Sequence, residues 1–170
     1  MRASKWVWFA MAAFALGDAD ANTTGRDEHS PFPGARIVSA DLAPPEPGVI
    51  ELRFREMFRI PVGPEGLEPS EKLLSLNGKR VRLIGYLVRE EAPARGRLIL
   101  APLPVSAPDA DDGPADDFPP QIVFVHLPAD GPDSTMGWTP QLLAFTGTLE
   151  VGAREEVDGR VSTVRLAITE

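Results

Sequence analysis

Asp109, Asp111, Asp112, Asp116 and Asp117 fall within one short run, APDADDGPADD, from Ala107 to Asp117. Hard divalent cations take several carboxylate oxygens, so weak calcium binding is the chemistry such a cluster offers. An EF-hand loop needs ligands at fixed offsets, a glycine at the turn and a terminal glutamate, and this run lacks that order. A solvated loop is therefore the first reading and a metal site the second. The two histidines, His29 and His126, are far apart in sequence. Zinc sites take three or four nitrogen or sulfur ligands, and there is no cysteine to complete one. His126 shares a face with Ile122 and Phe124 by strand alternation, which points to a partly buried, hydrogen-bonded imidazole. The adjacent carboxylates Glu90-Glu91 and Glu155-Glu156 sit at turn ends and read as solvated. Acid–base work would require burial to separate their pKa values. Tyr86, Phe118 and Trp138 offer aromatic faces of the kind barrel domains use to stack ligands. With His126 they are the candidate ligand-binding residues. G-x-S-x-G, phosphate-loop and H-E-x-x-H motifs are all absent, so no catalytic residue and no cofactor is expected.

The formal net charge of −8 bears on partners. Proteins that bind nucleic acid neutralise phosphates with clustered lysine and arginine, and a field of this sign repels polyanions. Nucleic acid is therefore not an expected partner, and an anionic membrane surface is disfavoured for the same reason. Without cysteine, thiol catalysis, disulfides and a lipidated N-terminal cysteine are excluded. The first residues carry an address. Arg2 and Lys5 precede the apolar run Trp6–Leu16, and Ala19-Asp20-Ala21 presents small residues where a signal peptidase reads. Residues 1–21 are expected to be a signal peptide. The mature chain would then be periplasmic or secreted, with no membrane span after cleavage.

Residues 22–48 are polar and punctuated by Pro31, Pro33, Pro44, Pro45 and Pro47, the composition of a flexible or extended leader. The domain is expected over 49–170. Val49–Phe54 alternates, with Ile50, Leu52 and Phe54 on one face, as an edge strand would. A short helix is expected from Pro69 to Leu76, ended by Asn77-Gly78. Five core strands follow: Lys79–Val88, Arg97–Leu103, Gln121–Leu127, Leu142–Val151 and Arg160–Thr169. In the first, Val81, Leu83 and Leu87 share one face with Gly85, while Ile84, Tyr86 and Val88 make the opposite face apolar too, so the strand is expected to be covered on both sides. In the fourth, Leu143, Phe145, Gly147, Leu149 and Val151 face inward. The mid-strand glycines suggest a bend or bulge, and Asp158-Gly159 suggests a hairpin. The expected fold class is all-β, a small OB-like five-stranded barrel with one short helix. An open β-sandwich is the alternative.

Leu76-Asn77-Gly78-Lys79-Arg80-Val81-Arg82-Leu83-Ile84-Gly85-Tyr86 resembles the L-D/N-G-K-x-V-x-L-x-G-Y/F opening of a bacterial exported family, domain-of-unknown-function family 3299. Leu98-Ile99-Leu100-Ala101-Pro102 is similar to its F-L-L-V-P strand. Pro119-Pro120-Gln121-Ile122-Val123-Phe124-Val125 is similar to its P-P-x-N-Q-I-V-x-V strand, and Phe145-Thr146-Gly147-Thr148-Leu149 to its V-x-G-T-L strand. The resemblance covers roughly Leu76 to Ile168. Family members commonly carry a Cys- and His-containing segment between the second and third strands. Here the Asp-rich run replaces it, so chemistry resting on that segment is not carried over. Some relatives are similar to accessory proteins associated with transporters.

The expected function is a non-enzymatic exported binding or accessory module, with an envelope protein partner in a transport system. The alternative is a metal- or small-ligand-binding protein that uses the Asp-rich loop. Calcium separates the two, because a bound ion stabilises the native state by mass action. We expect the same melting temperature in calcium and in chelator. A calcium-dependent rise that disappears when Ala107–Asp117 is deleted would establish the metal-binding alternative.

Overall fold

The computed structural model describes residues 34–38, 42–64, 66–107, 121–128 and 138–168. They form a mostly β fold of seven strands and one short α-helix. The strands are β1 (Ala35–Ile37), β2 (Ile50–Leu52), β3 (Arg80–Leu87), β4 (Arg97–Ala101), β5 (Val123–His126), β6 (Leu142–Glu155) and β7 (Val161–Ala167), with α1 at Glu71–Ser75. Each of the five expected core strands is present, somewhat shorter or longer than its sequence pattern. The two additional strands lie upstream. Ala35–Ile37, within the expected leader, pairs antiparallel with β6, and Ile50–Leu52 pairs parallel with β3.

The pairings of β3 to β7 run in a circuit. β3 pairs with β4, β4 with β5, and β6 with both β7 and β3, all antiparallel, while β5 and β7 pair parallel. The circuit is uneven. β3 and β6 match from Arg80↔Thr148 to Tyr86↔Leu142, whereas β3 and β4 meet only at Tyr86↔Ala101 and Leu87↔Leu100. The length of β6 makes the circuit possible, because its first half pairs with β3 and its second half with β7. Within the second half, the β6–β7 register shifts at Val151/Arg154.

Inward positions follow the alternation read from sequence. Val81, Leu83, Leu87, Leu143, Phe145, Leu149, Val164 and Leu166 are buried in one core with Leu98, Leu100, Val123 and Val125. The upstream segment departs from its pattern. Leu52 is buried, but Ile50 is 40% exposed and Phe54 opens a 3-10 turn, Phe54–Glu56. Helix α1 plugs the core with Leu73 and is followed by buried Leu76. Its N-cap is Ser70, whose Oγ accepts from Leu73 N at 3.0 Å and donates to Glu56 O at 2.6 Å, fixing the helix to the 3-10 turn. Leu76 is its C-cap, and the Oδ1 of Asn77 just beyond accepts from Val151 N.

The mid-strand glycines mark close approach, not bulges. The β3–β6 ladder runs through Gly85 and Gly147 without a register shift. A Cβ on Gly85 would lie 2.7 Å from Ala101 O and 2.8 Å from the Phe54 ring, which fills the space a side chain would take. A Cβ on Gly147 would lie 2.5 Å from Ala167 O. Backbone cannot yield as a side-chain tip can. We therefore expect Gly147→Ala to cost about 1–3 kcal/mol, as overpacked sites do. Thermal unfolding checks this, and an unchanged melting temperature would show that β6 and β7 are free to separate there.

Candidate functional site

β4 is buried on both faces. Leu98 and Leu100 point into the core, while Arg97, Ile99 and Ala101 lie on the outer face. Arg97 is only 2% exposed and its guanidinium stacks over the Phe124 ring at 5.3 Å. A buried cation requires counter-charge within reach. Two loops supply it. Glu90, from the β3–β4 connection, accepts from Arg97 Nη2 at 2.8 Å and from Arg160 Nη1 at 2.9 Å. Asp158, from the β6–β7 hairpin, accepts from Arg97 Nη1. The guanidinium thus clamps two connections that are distant in sequence, while its Nε is buried without a partner.

A second network adjoins it. Arg97 faces His126 across β4 and β5. His126 Nε2 lies 3.0 Å from Glu156 Oε2, and Glu156 Oε1 accepts from Ser162 Oγ at 2.5 Å. Ser162 Oγ accepts in turn from Arg165 Nη1 at 2.9 Å, and Arg165 Nε donates to Glu150 at 3.2 Å. Glu90 and Glu156 correct the sequence reading. Their side chains are 7% and 5% exposed, because Arg97 and Arg160 meet Glu90 there and His126 meets Glu156. One signal for Arg97 was available: it sits in phase with Ile99 and Ala101, a charge on an apolar stripe.

Asp158 in the first network, and Glu51, which pairs with Arg82, both have lowered pKa values. Burial raises the Asp158 pKa, but the Arg97 hydrogen bond and charge, with help from Arg160, outweigh it and hold the group below the usual aspartate range. Glu51 is lowered mainly by its hydrogen bond from Arg82, at 2.5 Å, against a smaller opposing effect of burial. Arg82 also donates to Ala43 O, so it ties the leader to β2 and β3.

The structure distributes the candidate ligand residues. Tyr86 is half-buried on β3, opposite Ala101. His126 is opposite Arg97, so a length of β4, roughly 13 Å at 3.3 Å per residue, separates the two. Trp138 is 46% exposed; its Nε1 donates to Leu87 O at 3.0 Å, and Arg89 lies over its ring at 5.7 Å. His126 thus lies apart from Tyr86, whereas Trp138 sits at the end of β3, next to it. Phe118, Asp109, Asp111, Asp112, Asp116 and Asp117 lie outside the described residues. Among the described residues, no group of three or more His, Cys, Asp or Glu could hold a metal ion, and no helix is long and apolar enough to cross a membrane. Ala107, which the sequence reading placed at the start of the solvated loop, instead packs against Val88, Ile99, Ala101 and Phe124.

No protein-family model matches the sequence, and no curated protein does. The chain is similar to the crystal structure of a DUF3299 family protein from Pseudomonas aeruginosa PAO1. Identity is 17%, the match covers 71% of this chain and 92% of that one, and the TM-score is 0.43.

The lowered carboxylates set the acid limb of stability. A group with a depressed folded pKa contributes stability that is fully present above its unfolded value, about 4. That contribution is lost as pH falls through the folded value. We expect the melting temperature to fall below about pH 4, and to fall less steeply in Asp158→Asn. Superimposable acid limbs would remove Asp158 from this account. Arg97→Met, which leaves Glu90 and Asp158 without their central cation, should cost about 3–5 kcal/mol in a denaturant titration.

Proposed function

We propose that this chain is an exported, OB-like binding or accessory module related to the DUF3299 proteins, and that it is not an enzyme. The strand circuit supports the OB-like reading. Four antiparallel pairings and one parallel pairing, β5 with β7, join five strands in the order β3-β4-β5-β7-β6 and back to β3. OB barrels bind ligands on the face of their second and third strands and on the loops beside it. The corresponding elements here are β4, β5, the β3–β4 connection and the β6–β7 hairpin.

One observation carries the non-enzymatic reading: the carboxylate of Glu156 stands between Ser162 and His126. A nucleophilic relay needs the hydroxyl on the imidazole and the carboxylate behind it. In this order the serine hydroxyl meets a carboxylate and no imidazole, and it is fully buried. The same region does not suit nucleic acid. Arg97, Arg160 and Arg165 are each bound to carboxylates of the chain itself, so a phosphate would have to displace an intramolecular partner. The partner we propose is a protein of the envelope, in a transport system. The charged pre-peptidase pattern at residues 1–21 supports the compartment.

Two experiments test the proposal. In a broad hydrolase and redox screen we expect no activity that His126→Ala abolishes; such an activity would overturn the non-enzymatic reading. Crosslinking of the mature chain in intact envelopes should give one stoichiometric protein adduct. Recovery of the uncrosslinked chain alone would overturn the accessory role.

A further inference from the structure

The outer face of β4 and β5 is apolar at its centre. Ile99, Ala101 and Phe124, with Val88 at the end of β3, form a second buried cluster distinct from the main core. It is covered in part by the chain that follows β4, because Val105, Ala107 and Ile122 pack against it. The way in which Val105–Ala107 docks is informative. Arg89 N donates to Val105 O at 3.1 Å, and Ala107 N donates to Arg89 O at 2.7 Å. Ser106 and Arg89 thereby form a parallel bridge outside the named strands. Ser106 is exposed between two side chains that face the cluster.

Main-chain hydrogen bonds to a strand end, with alternate side chains in apolar contact, are the means by which sheets recognise extended peptides. The segment is held lightly for a piece of a folded domain. Its described backbone bonds go to one residue, Arg89. Pro102 and Pro104 before it have no N–H to contribute, and Leu103 is largely exposed. Segments with few buried contacts open at less cost than the whole fold. Being tethered, the segment nonetheless occupies the face at high effective concentration.

We propose that the groove over Val88, Ile99, Ala101 and Phe124 is a strand-binding site which Val105–Ala107 fills in cis. Its ligand in trans is an extended segment of a partner protein, with a β-branched residue and a small residue two apart, paired parallel to Arg89. The proposal rests on the reading of the domain as a binding module, and it supplies the partner's chemistry and the autoinhibitory contact. Parallel pairing fixes the direction of the incoming strand. The exposed middle position admits any polar residue.

The probe is a fluorescent peptide of the chain's own sequence, Pro102–Pro108. Its binding to the full mature chain is read by fluorescence anisotropy. In the Val105→Asp chain the tethered segment is undocked, so the competent fraction rises, and the peptide should bind at least about tenfold more tightly than to wild type. A peptide that itself carries Val105→Asp should bind neither protein. Absence of binding to a Val105→Asp chain that still melts cooperatively overturns the proposal, as does equal binding to both chains. Should that variant not fold, hydrogen exchange on the wild-type chain decides. Excess peptide should accelerate exchange at the Ala107 amide and leave the Leu149 amide, bonded to Lys79 O, unchanged. An Ala107 amide indifferent to peptide overturns the proposal. Crosslinking to an envelope protein that persists while the peptide fails would remove this site alone and leave the module reading standing.

Discussion

A guanidinium buried on the outside of a β-strand governs the arrangement around it. Arg97 has three faces to satisfy: the Phe124 ring takes one by stacking, and Glu90 and Asp158 take two of its nitrogens. Removing a charge of this kind from water costs several kcal/mol before any pairing offsets it. Its counter-charges must therefore arrive together. Since they sit in the β3–β4 connection and in the β6–β7 hairpin, the two loops are placed by one residue of a third element. Arg160, on Glu90, closes the set by returning the hairpin to the first connection.

The circuit of strands imposes a different constraint, one of space. Where β3 crosses the Phe54 ring and where β6 passes the β7 backbone, the chain has room for a hydrogen atom and no more. Glycine meets that need at both points, and the ladders remain in register through them. The register shift falls instead near Gly152, where β6 has left β3 and continues with β7 alone. Arg165 donates to the Gly152 carbonyl there at 2.7 Å, so a side chain occupies a bond that the ladder gives up.

The inward faces of β3, β6 and β7 were legible in the sequence because alternation is a local signal: Val81, Leu83, Phe145, Leu149, Val164 and Leu166 needed only their own neighbours to be placed. The short helix was legible for the same reason, through the punctuation of Pro69 and Asn77-Gly78. The polar networks were not. Glu90 meets an arginine seven residues on and another 70 residues on, and His126 meets a glutamate 30 residues away. Adjacent glutamates at a turn look solvated until the sheet closes over them. Ala35–Ile37 was hidden in turn by its proline-rich surroundings, since a strand of three residues is made by the partner it pairs with, here β6. Mid-strand glycine was noticed, but glycine for a bulge and glycine for close approach look alike without the neighbouring strand.

The file of groups from Arg165 to His126 has one further property. A guanidinium only donates, so Ser162 Oγ accepts from Arg165, and its single hydrogen has Glu156 Oε1 at 2.5 Å as the nearer acceptor and Arg154 O at 3.3 Å as the farther. The carboxylate, accepting at both oxygens, then requires an N–H from the imidazole at Nε2. The serine hydrogen and the imidazole hydrogen thus converge on one carboxylate. In its neutral form His126 is held as a single tautomer with its lone pair on Nδ1, and nitrogen NMR of that one ring would report whether a file of protons four residues long is intact.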